Sequence, residues 1–460
     1  MPETVRTSEI RELLRLGLPI MAAQTFQMGM GVTDTLMAGR YSAIDLAGVA
    51  LAWGMAGPVT MLIMGILFAI TPVVAQLFGA GRRNQIGAVI RQAVWLAAIS
   101  SALGIAIVSN LGPVFDFIGA EQAVADVSRG YLKASIWGYP GFALYFVFRN
   151  TCEGMGKTRP AMVVASIAFA INVPLNYMFV YGHFGAPELG GIGCGVATAI
   201  VSWLECIAMF VVITGRFYRG AEIFSGSWKP DIGEFARLAR VGVPIGITTF
   251  LEMGLFSLVT LLLAQFGANP VAAHSIAMNI NGVAFMIPLS LGMAASIRVG
   301  HSIGAGDFEK AREVGKTAVR ASLVFAAGTA AVLFVFRFQI AGAFSQDADL
   351  VAIAANVLMF VAGYQFVDDP QAAAIGVLRG YKDTRVPMIL AFIGYWAIAL
   401  PVALFFGFGV GDFDGWGIYG FWIGLVAGIA FVAVTTNIRR VRLGVDVRRI
   451  RMLAADGVEA

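Results

Sequence analysis

Acidic side chains lie inside apolar stretches of this 460-residue chain, where an ionised group is costly. An ionised side chain near the centre of a bilayer costs roughly 2.5–3.5 kcal/mol on insertion scales. A chain that keeps such groups either packs them against a partner or uses them to bind something. The residues concerned are Asp34, Glu205, Glu252 and the adjacent pair Asp368 and Asp369.

The pair in the second half has the spacing of a cation site. Tyr364, Asp368 and Gln371 follow one another at i, i+4 and i+7, which places them on one helix face. Pro370 removes a backbone donor and leaves a carbonyl oxygen free. Oxygens of these kinds suit a small hard cation such as Na⁺ or a proton. Asp369 points roughly 100° away from Asp368 and is the weaker ligand.

Glu252 lies near the centre of another apolar stretch, and we expect it to hold the cation together with Asp368. The alternative for both residues is a protonated acid that hydrogen-bonds between helices. Glu205 aligns with nothing informative and is not included in the site.

In the first half, Asp34 lies between two threonines toward the end of its apolar stretch. Asn172 and Asn176 flank Pro174 at i and i+4, so both amides face the same side of a kinked helix. These side chains are candidates for a substrate cavity, and amide packing across a helix interface is the alternative. The histidines at 183, 274 and 301 fall near the ends of apolar stretches, where we expect solvated or interfacial roles.

The elements that position these residues are transmembrane helices. The chain is 58% hydrophobic and 13% charged, far more apolar than a soluble protein of this length. Twelve apolar runs are long enough to cross a bilayer as helices, with centres near 27, 60, 99, 141, 171, 203, 250, 285, 326, 365, 397 and 428. The first is expected to act as an uncleaved signal anchor. The three cysteines have no metal-ligand spacing and indicate no disulfide framework.

The distribution of basic residues predicts the orientation. With a cytoplasmic N-terminus, all Lys and Arg residues fall on the cytoplasmic side except Arg40, Arg129, Lys133 and Arg337. This positive-inside pattern places both termini in the cytoplasm. It also leaves no clear Lys or Arg near the middle of a span.

An internal repeat divides the chain. At a constant offset of 225, Gly17, Pro19 and Ile20 align with Gly242, Pro244 and Ile245. Six spans per repeat give two parallel repeats that face the same way across the membrane. We therefore expect an N-lobe at 1–220 and a C-lobe at 221–460.

The repeat is not symmetric in its charges. Glu252 aligns with Gln27, so a carboxylate is expected at this position in the second half alone. Gln27 is accordingly assigned to the substrate cavity of the first half.

The sequence resembles the MATE (multidrug and toxic compound extrusion) transporters, specifically their NorM-type branch, over essentially its whole length. The segments that carry this resemblance are VTDTLMAGR with Asp34, LNYMFVYG after Asn172, the region of Glu252, and DDPQAAAIGVLRGYKDTRVPM with Asp368.

The resemblance implies an all-α integral membrane fold of twelve helices in two lobes around a central cleft. The positions implied for the N-lobe cavity are Asp34, Asn172 and Asn176. Those implied for the C-lobe cation site are Glu252, Tyr364 and Asp368. Asp369 departs from the family pattern, in which a small residue is expected.

The predicted function is an antiporter that exports lipophilic organic cations, including drugs, in exchange for Na⁺ or H⁺. The NorM-type resemblance favours sodium. Carboxylates attract cationic substrates, and the chain has no GxxxxGK[ST] loop for ATP. We expect no cofactor besides the coupling ion, no nucleic-acid partner, no enzymatic activity, and a monomer in the inner membrane.

Alternatives within and outside transport were considered. A flippase for lipid-linked precursors, from the same superfamily, would need arginines for its anionic phosphate. A channel is disfavoured by the two-lobed repeat. An intramembrane enzyme is disfavoured because no nucleophile–base pair or HExxH site is found.

Overall fold

The structure is a computed structural model and describes residues 3–455. In this range the regular elements are helices, apart from one isolated bridge between Val410 and Phe413. The helices of the first half are α1 (Glu3–Tyr41), α2 (Ala43–Leu67), α3 (Ile70–Gly79), α4 (Arg83–Ser109), α5 (Gly112–Phe117), α6 (Gln122–Ser135), α7 (Tyr139–Gly154), α8 (Arg159–Tyr181) and α9 (Gly191–Ile213). Those of the second half are α10 (Ile232–Leu263), α11 (Ala268–Gly304), α12 (Phe308–Phe344), α13 (Ala348–Gly380), α14 (Arg385–Phe392), α15 (Leu400–Phe408), α16 (Ile418–Leu443) and α17 (Val447–Ala455).

The prediction of an all-α membrane protein is confirmed. Within residues 3–455, 10 helical segments are long and apolar enough to cross a membrane. The 39-residue helix α1 and the consecutive helices α6 and α7 account for the other two predicted spans. Every predicted span centre falls inside one of these helical segments.

Short polar side chains define several helix starts. The Ser42 hydroxyl accepts a hydrogen bond from the Asp45 amide at 2.9 Å and caps α2. The Asp45 carboxylate in turn accepts from the Gly191 amide at 2.6 Å, which ties the start of α2 to the start of α9. Asp307 and Asp347 cap α12 and α13 in the same way. These caps supply partners for backbone donors that a helix leaves unsatisfied.

The described chain forms two compact units. The N unit is Ala22–Gly246, and the C unit comprises the described residues up to Met21 together with those from Ile247 onward. Helices α1 and α10 each pass from one unit to the other within their length. They do so at equivalent positions of the repeat, two residues after the equivalent prolines Pro19 and Pro244.

In the C unit, α11 and α13 pack backbone to backbone. A Cβ atom added to Gly376 would lie 2.1 Å from the carbonyl oxygen of Gly292. No side chain fits at that distance, so glycine is required for the approach. Because α13 carries Tyr364, Asp368 and Asp369, this contact fixes the helix that holds the predicted cation ligands.

A π-helical segment, Ile393–Ala399, lies between α14 and α15. Such segments are rare and widen the helix by one residue per turn. Here the segment carries the buried Tyr395, whose hydroxyl accepts a hydrogen bond from the Gln371 amide at 2.9 Å.

We predict that Gly376→Ala destabilises the C unit by about 1–3 kcal/mol, because the new methyl group overpacks the α11–α13 contact. The matched control is Gly363→Ala on the same helix, where an added Cβ has no neighbour within 4 Å. Thermal unfolding of the purified protein in detergent measures the difference. Equal midpoints for the two variants would contradict the close contact.

Candidate functional site

The carboxylate of Asp34 is the centre of a polar group in the N unit. Asn176 donates to one Asp34 oxygen at 2.6 Å, and Thr198 donates to the other at 3.0 Å. The Asn176 amide also donates to the Asn172 oxygen at 3.1 Å. The structure therefore brings together Asp34, Asn172 and Asn176, three of the predicted cavity residues, all of them buried.

Thr198 completes this group and was missed by the sequence analysis. It lies on α9, 164 positions after Asp34, and its own neighbours are small or apolar. No local pattern identifies it, because its partner comes from a distant helix. The buried Tyr131 side chain lies against the same threonine.

Gln27, the fourth predicted cavity residue, pairs with Glu205 instead of the Asp34 group. Its amide donates to the Glu205 carboxylate at 2.6 Å. Glu205 is buried, whereas Gln27 is partly exposed. At the aligned position itself a carboxylate occurs in the second half alone, but α9 supplies one beside Gln27. Glu205 thus lies against a polar group between helices α1 and α9.

A buried ion pair lies close to Glu205. Arg149 Nε donates to Glu153 Oε1 at 2.7 Å, and both side chains are 0% exposed. Arg149 lies toward the end of α7, away from the middle of a span as expected, yet its side chain is buried. Hydropathy places this arginine near the end of a span, but the packing of α7 against α9 and α4 encloses it. The ion pair offsets the arginine's charge within the N unit.

The C unit brings together the predicted ligands Glu252, Tyr364, Asp368 and Asp369. Tyr364 lies within electrostatic range of the three carboxylates, and Asp368 lies within range of the other two. Tyr364, Asp368 and Asp369 are at most 2% exposed, and Glu252 is partly exposed. Asp369 thus lies among the predicted ligands despite its different direction on the helix.

Acceptor oxygens without a partner are a second feature of α13. Three buried oxygens on this helix have no hydrogen-bond partner among the described residues: Oε1 of Gln365, Oδ1 of Asp369 and Oε1 of Gln371. The amide nitrogens of both glutamines do have partners, namely Asn281 at 2.9 Å and Tyr395 at 2.9 Å. Each unpaired buried acceptor costs about 1–3 kcal/mol. The helix therefore presents acceptors that a cationic guest could satisfy.

Two further groups of the C unit were not assigned from the sequence. Tyr395 and Arg379 both lie within electrostatic range of Glu252. In this part of the repeat the offset is 226, so Arg379 aligns with Glu153 and equivalent positions carry opposite charges.

The prediction for His274 is wrong. This residue on α11 is 0% exposed, and neither ring nitrogen has a hydrogen-bond partner in the described structure. Its ring lies 5.7 Å from that of Trp422, which also contacts Tyr364 edge to face. His183, in contrast, is exposed and stacks on Tyr177 as an interfacial side chain would.

The sequence profile of the MatE family matches residues 19–178 and 244–405, which is more than two thirds of the chain. The chain belongs to the MATE family. The two matched segments correspond to the two halves of the internal repeat. Members of this family are transporters, and this chain is a multi-pass membrane transporter.

Solved MATE structures have the same fold at low sequence identity. A eukaryotic MATE transporter, AtDTX14, is 20% identical with a TM-score of 0.89, and the match covers 98% of this chain and 99% of that one. The bent form of the Vibrio cholerae MATE transporter VcmN is 19% identical with a TM-score of 0.83, covering 99% and 100%.

A more distant function occurs on the same architecture. A MOP superfamily transporter from Pyrococcus furiosus, described as having a binding pocket of reverse polarity that suggests a different function, is 18% identical. Its TM-score is 0.80, and the match covers 97% of this chain and 96% of that one.

We predict that Arg149→Met lowers the stability of this MATE protein by about 3–5 kcal/mol, because it leaves a buried carboxylate without its counter-charge. The double variant Arg149→Met/Glu153→Met should recover most of this loss, since no unpaired charge remains. Thermal unfolding in detergent compares the two. A double variant no more stable than the single one would show that the ion pair is not the cause.

Proposed function

We propose that this transporter is a cation-coupled antiporter that exports lipophilic organic cations by alternating access. The observation that supports the proposal best is the set of partnerless acceptor oxygens on α13 beside Asp368 and Asp369. A positively charged guest would interact favourably with acceptor oxygens that have no donor within the protein.

The balance of buried charge supports a cationic guest in the N unit. Arg149 is paired with Glu153, and the carboxylate of Asp34 is held by Asn176 and Thr198, so that its charge is not neutralised by a cationic side chain at hydrogen-bond distance. A phosphate-bearing cargo would need guanidinium groups directed at it. The proposal therefore favours drug-like cations over the anionic lipid precursors of a flippase.

The coupling ion is assigned to the C unit. Glu252, Tyr364, Asp368 and Asp369 offer carboxylate and phenol oxygens, which suit Na⁺ or a proton. Asp368 and Glu252 are the proposed direct ligands. Inward movement of one such ion gains about 2.3 kcal/mol per 100 mV of membrane potential.

The substrate is assigned to the N unit. Asp34 would pair with the positive charge of the substrate, while Asn172 and Asn176 hold the carboxylate and offer amide contacts. Gln27 supplies a partly exposed polar group. Among the similar structures, one is described as a multidrug resistance MATE family transporter, which supports drug export as the activity. We place the protein in the inner membrane as a functional monomer.

The deciding experiment uses proteoliposomes loaded with an ethidium-like cation. Efflux is measured with an imposed Na⁺ gradient, with an imposed pH gradient, and with neither. The proposal expects export that depends on one of the two gradients. Export at the same rate with and without the gradients would contradict ion coupling. Transfer of a lipid-linked phosphate without movement of the organic cation would favour the flippase.

We predict that Asp368→Asn abolishes gradient-driven efflux, a loss of at least tenfold in rate, because the ion site loses a charge. The matched control is Asp349→Asn, which changes an exposed carboxylate at the start of the same helix. Efflux from proteoliposomes and drug resistance of expressing cells are the measurements. Wild-type resistance in the Asp368 variant would remove this residue from the site.

We also predict that Asp34→Asn impairs transport and weakens binding of the organic cation, because the counter-charge of the substrate is lost while the amide can still pair with Thr198. Thr198→Val should have a smaller effect, since it removes one donor and leaves the charge. Equilibrium binding of the fluorescent cation separates the two variants. An unaltered rate for Asp34→Asn would reduce the N unit to a scaffold.

A further inference from the structure

The N unit contains a second buried carboxylate at the place where the repeat predicts an ion ligand. Glu252 of the C unit aligns with Gln27, and the Gln27 amide contacts the Glu205 carboxylate at 2.6 Å. In the C unit the carboxylate belongs to Glu252 on α10 itself. In the N unit the aligned residue is Gln27, and Glu205 of α9 supplies the carboxylate beside it. The substrate group at Asp34 does not use Glu205.

The charges around Glu205 do not balance when every group is ionised. Arg149 lies within electrostatic range of Glu205 while it donates to Glu153, so one guanidinium serves two carboxylates. All three side chains are buried, at no more than 3% exposure. A buried charge without a counter-charge is strongly unfavourable. With Arg149, Glu153 and Glu205 all ionised, the group has one more negative than positive charge, so neutrality requires one additional positive charge.

Unpaired buried atoms occur in the same group of side chains. Arg149 is 0% exposed, and neither of its Nη atoms has a hydrogen-bond partner among the described residues. The guanidinium also lies over the ring of Phe146, at 5.4 Å. Glu153 Oε2 is buried and lacks a partner too. These atoms show that the ion pair alone does not satisfy the cluster.

The surrounding helices bring few other charges. From α7, Tyr145 and Arg149 lie within electrostatic range of Glu205, and from α1 the neutral amide of Gln27 donates to it. The α8 segment between 160 and 181 has no acidic or basic residue, and its Tyr177 and Tyr181 stack near His183. The acid of α2, Asp45, binds the Gly191 amide, and the titratable Tyr131 of α6 lies with Asp34.

We propose that Glu205 binds one exchangeable proton, which makes the Gln27–Glu205–Arg149–Glu153 cluster neutral and leaves it with one net negative charge on departure. A proton fits better than a metal ion, because an amide N–H already donates to the carboxylate and a guanidinium charge lies within electrostatic range, and neither group coordinates metals. The partly exposed Gln27 offers the route to solvent. This inference rests on the N unit alone and does not require the proposed transport cycle.

Infrared difference spectroscopy of the purified full-length protein tests it, because the C=O stretch of a protonated carboxyl is separate from carboxylate bands. Spectra are recorded between acidic and alkaline pH in the Asp34→Asn background, which removes the neighbouring acid. We expect Glu205→Gln to remove one titrating carboxyl band, since glutamine keeps the contact with Gln27 but holds no exchangeable acid proton. The matched control Glu188→Gln, at an exposed glutamate of the same unit, should keep that band.

A swap variant keeps the test decisive if the single variant folds poorly. Glu205→Gln/Gln27→Glu moves the acid to the position that Glu252 occupies in the C unit, and it should restore a titrating band. Spectra identical with and without the Glu205 carboxyl would overturn the proposal. A carboxylate shift that follows replacement of Na⁺ by choline, rather than pH, would also overturn it in favour of a metal ion.

Discussion

The cost of placing charge in hydrocarbon is the constraint on which the rest of this structure depends. Each buried carboxylate of the N unit meets it with donors from another residue: Asp34 with Asn176 and Thr198, and Glu205 with Gln27. Only one buried acid there has a cationic partner at hydrogen-bond distance. In the C unit, α13 instead leaves acceptor oxygens unpaired. In this respect α13 differs from the Asp34 group, in which both carboxylate oxygens have donors within the protein.

The two halves of the repeat align in sequence, but their charged side chains differ. Gln27 and Glu252 occupy equivalent positions, as do Glu153 and Arg379, and in both pairs the charge differs. Yet each unit places a guanidinium within electrostatic range of a carboxylate: Arg149 with Glu205, and Arg379 with Glu252. An acid and a base close together are thus retained even though the helices that supply them have changed. A comparison of aligned positions in the two halves does not detect this acid–base pairing, because the two halves supply the acid and the base from different positions.

Local regularities account for what the sequence predicted well. Length and hydropathy identify a span, and a spacing of i, i+4 and i+7 identifies a face, so the helices and the line of Tyr364 and Asp368 could be predicted. Contacts between distant helices could not. Thr198 and Glu205 bind residues 164 and 178 positions away, and neither has a local signal. The burial of Arg149 depends on which helices surround α7, and Tyr395 is positioned by a π-helical segment that periodicity does not reveal.

The difference between Asp34 and Asp369 indicates how the two units can have separate tasks. Both oxygens of Asp34 already have donors, so a guest there competes with Asn176 and Thr198 or shares the remaining lone pairs. Such a site binds weakly and adapts to guests of different shape. Asp369 Oδ1 has no donor, and it lies near Asp368 on a helix fixed by a glycine contact with α11. A rigid site with unmet acceptors gains most from a small ion that fits closely, because the protein has already borne the cost of ordering the ligands. The proposed division of tasks, with the substrate in the N unit and the ion in the C unit, is consistent with how completely each carboxylate is hydrogen-bonded.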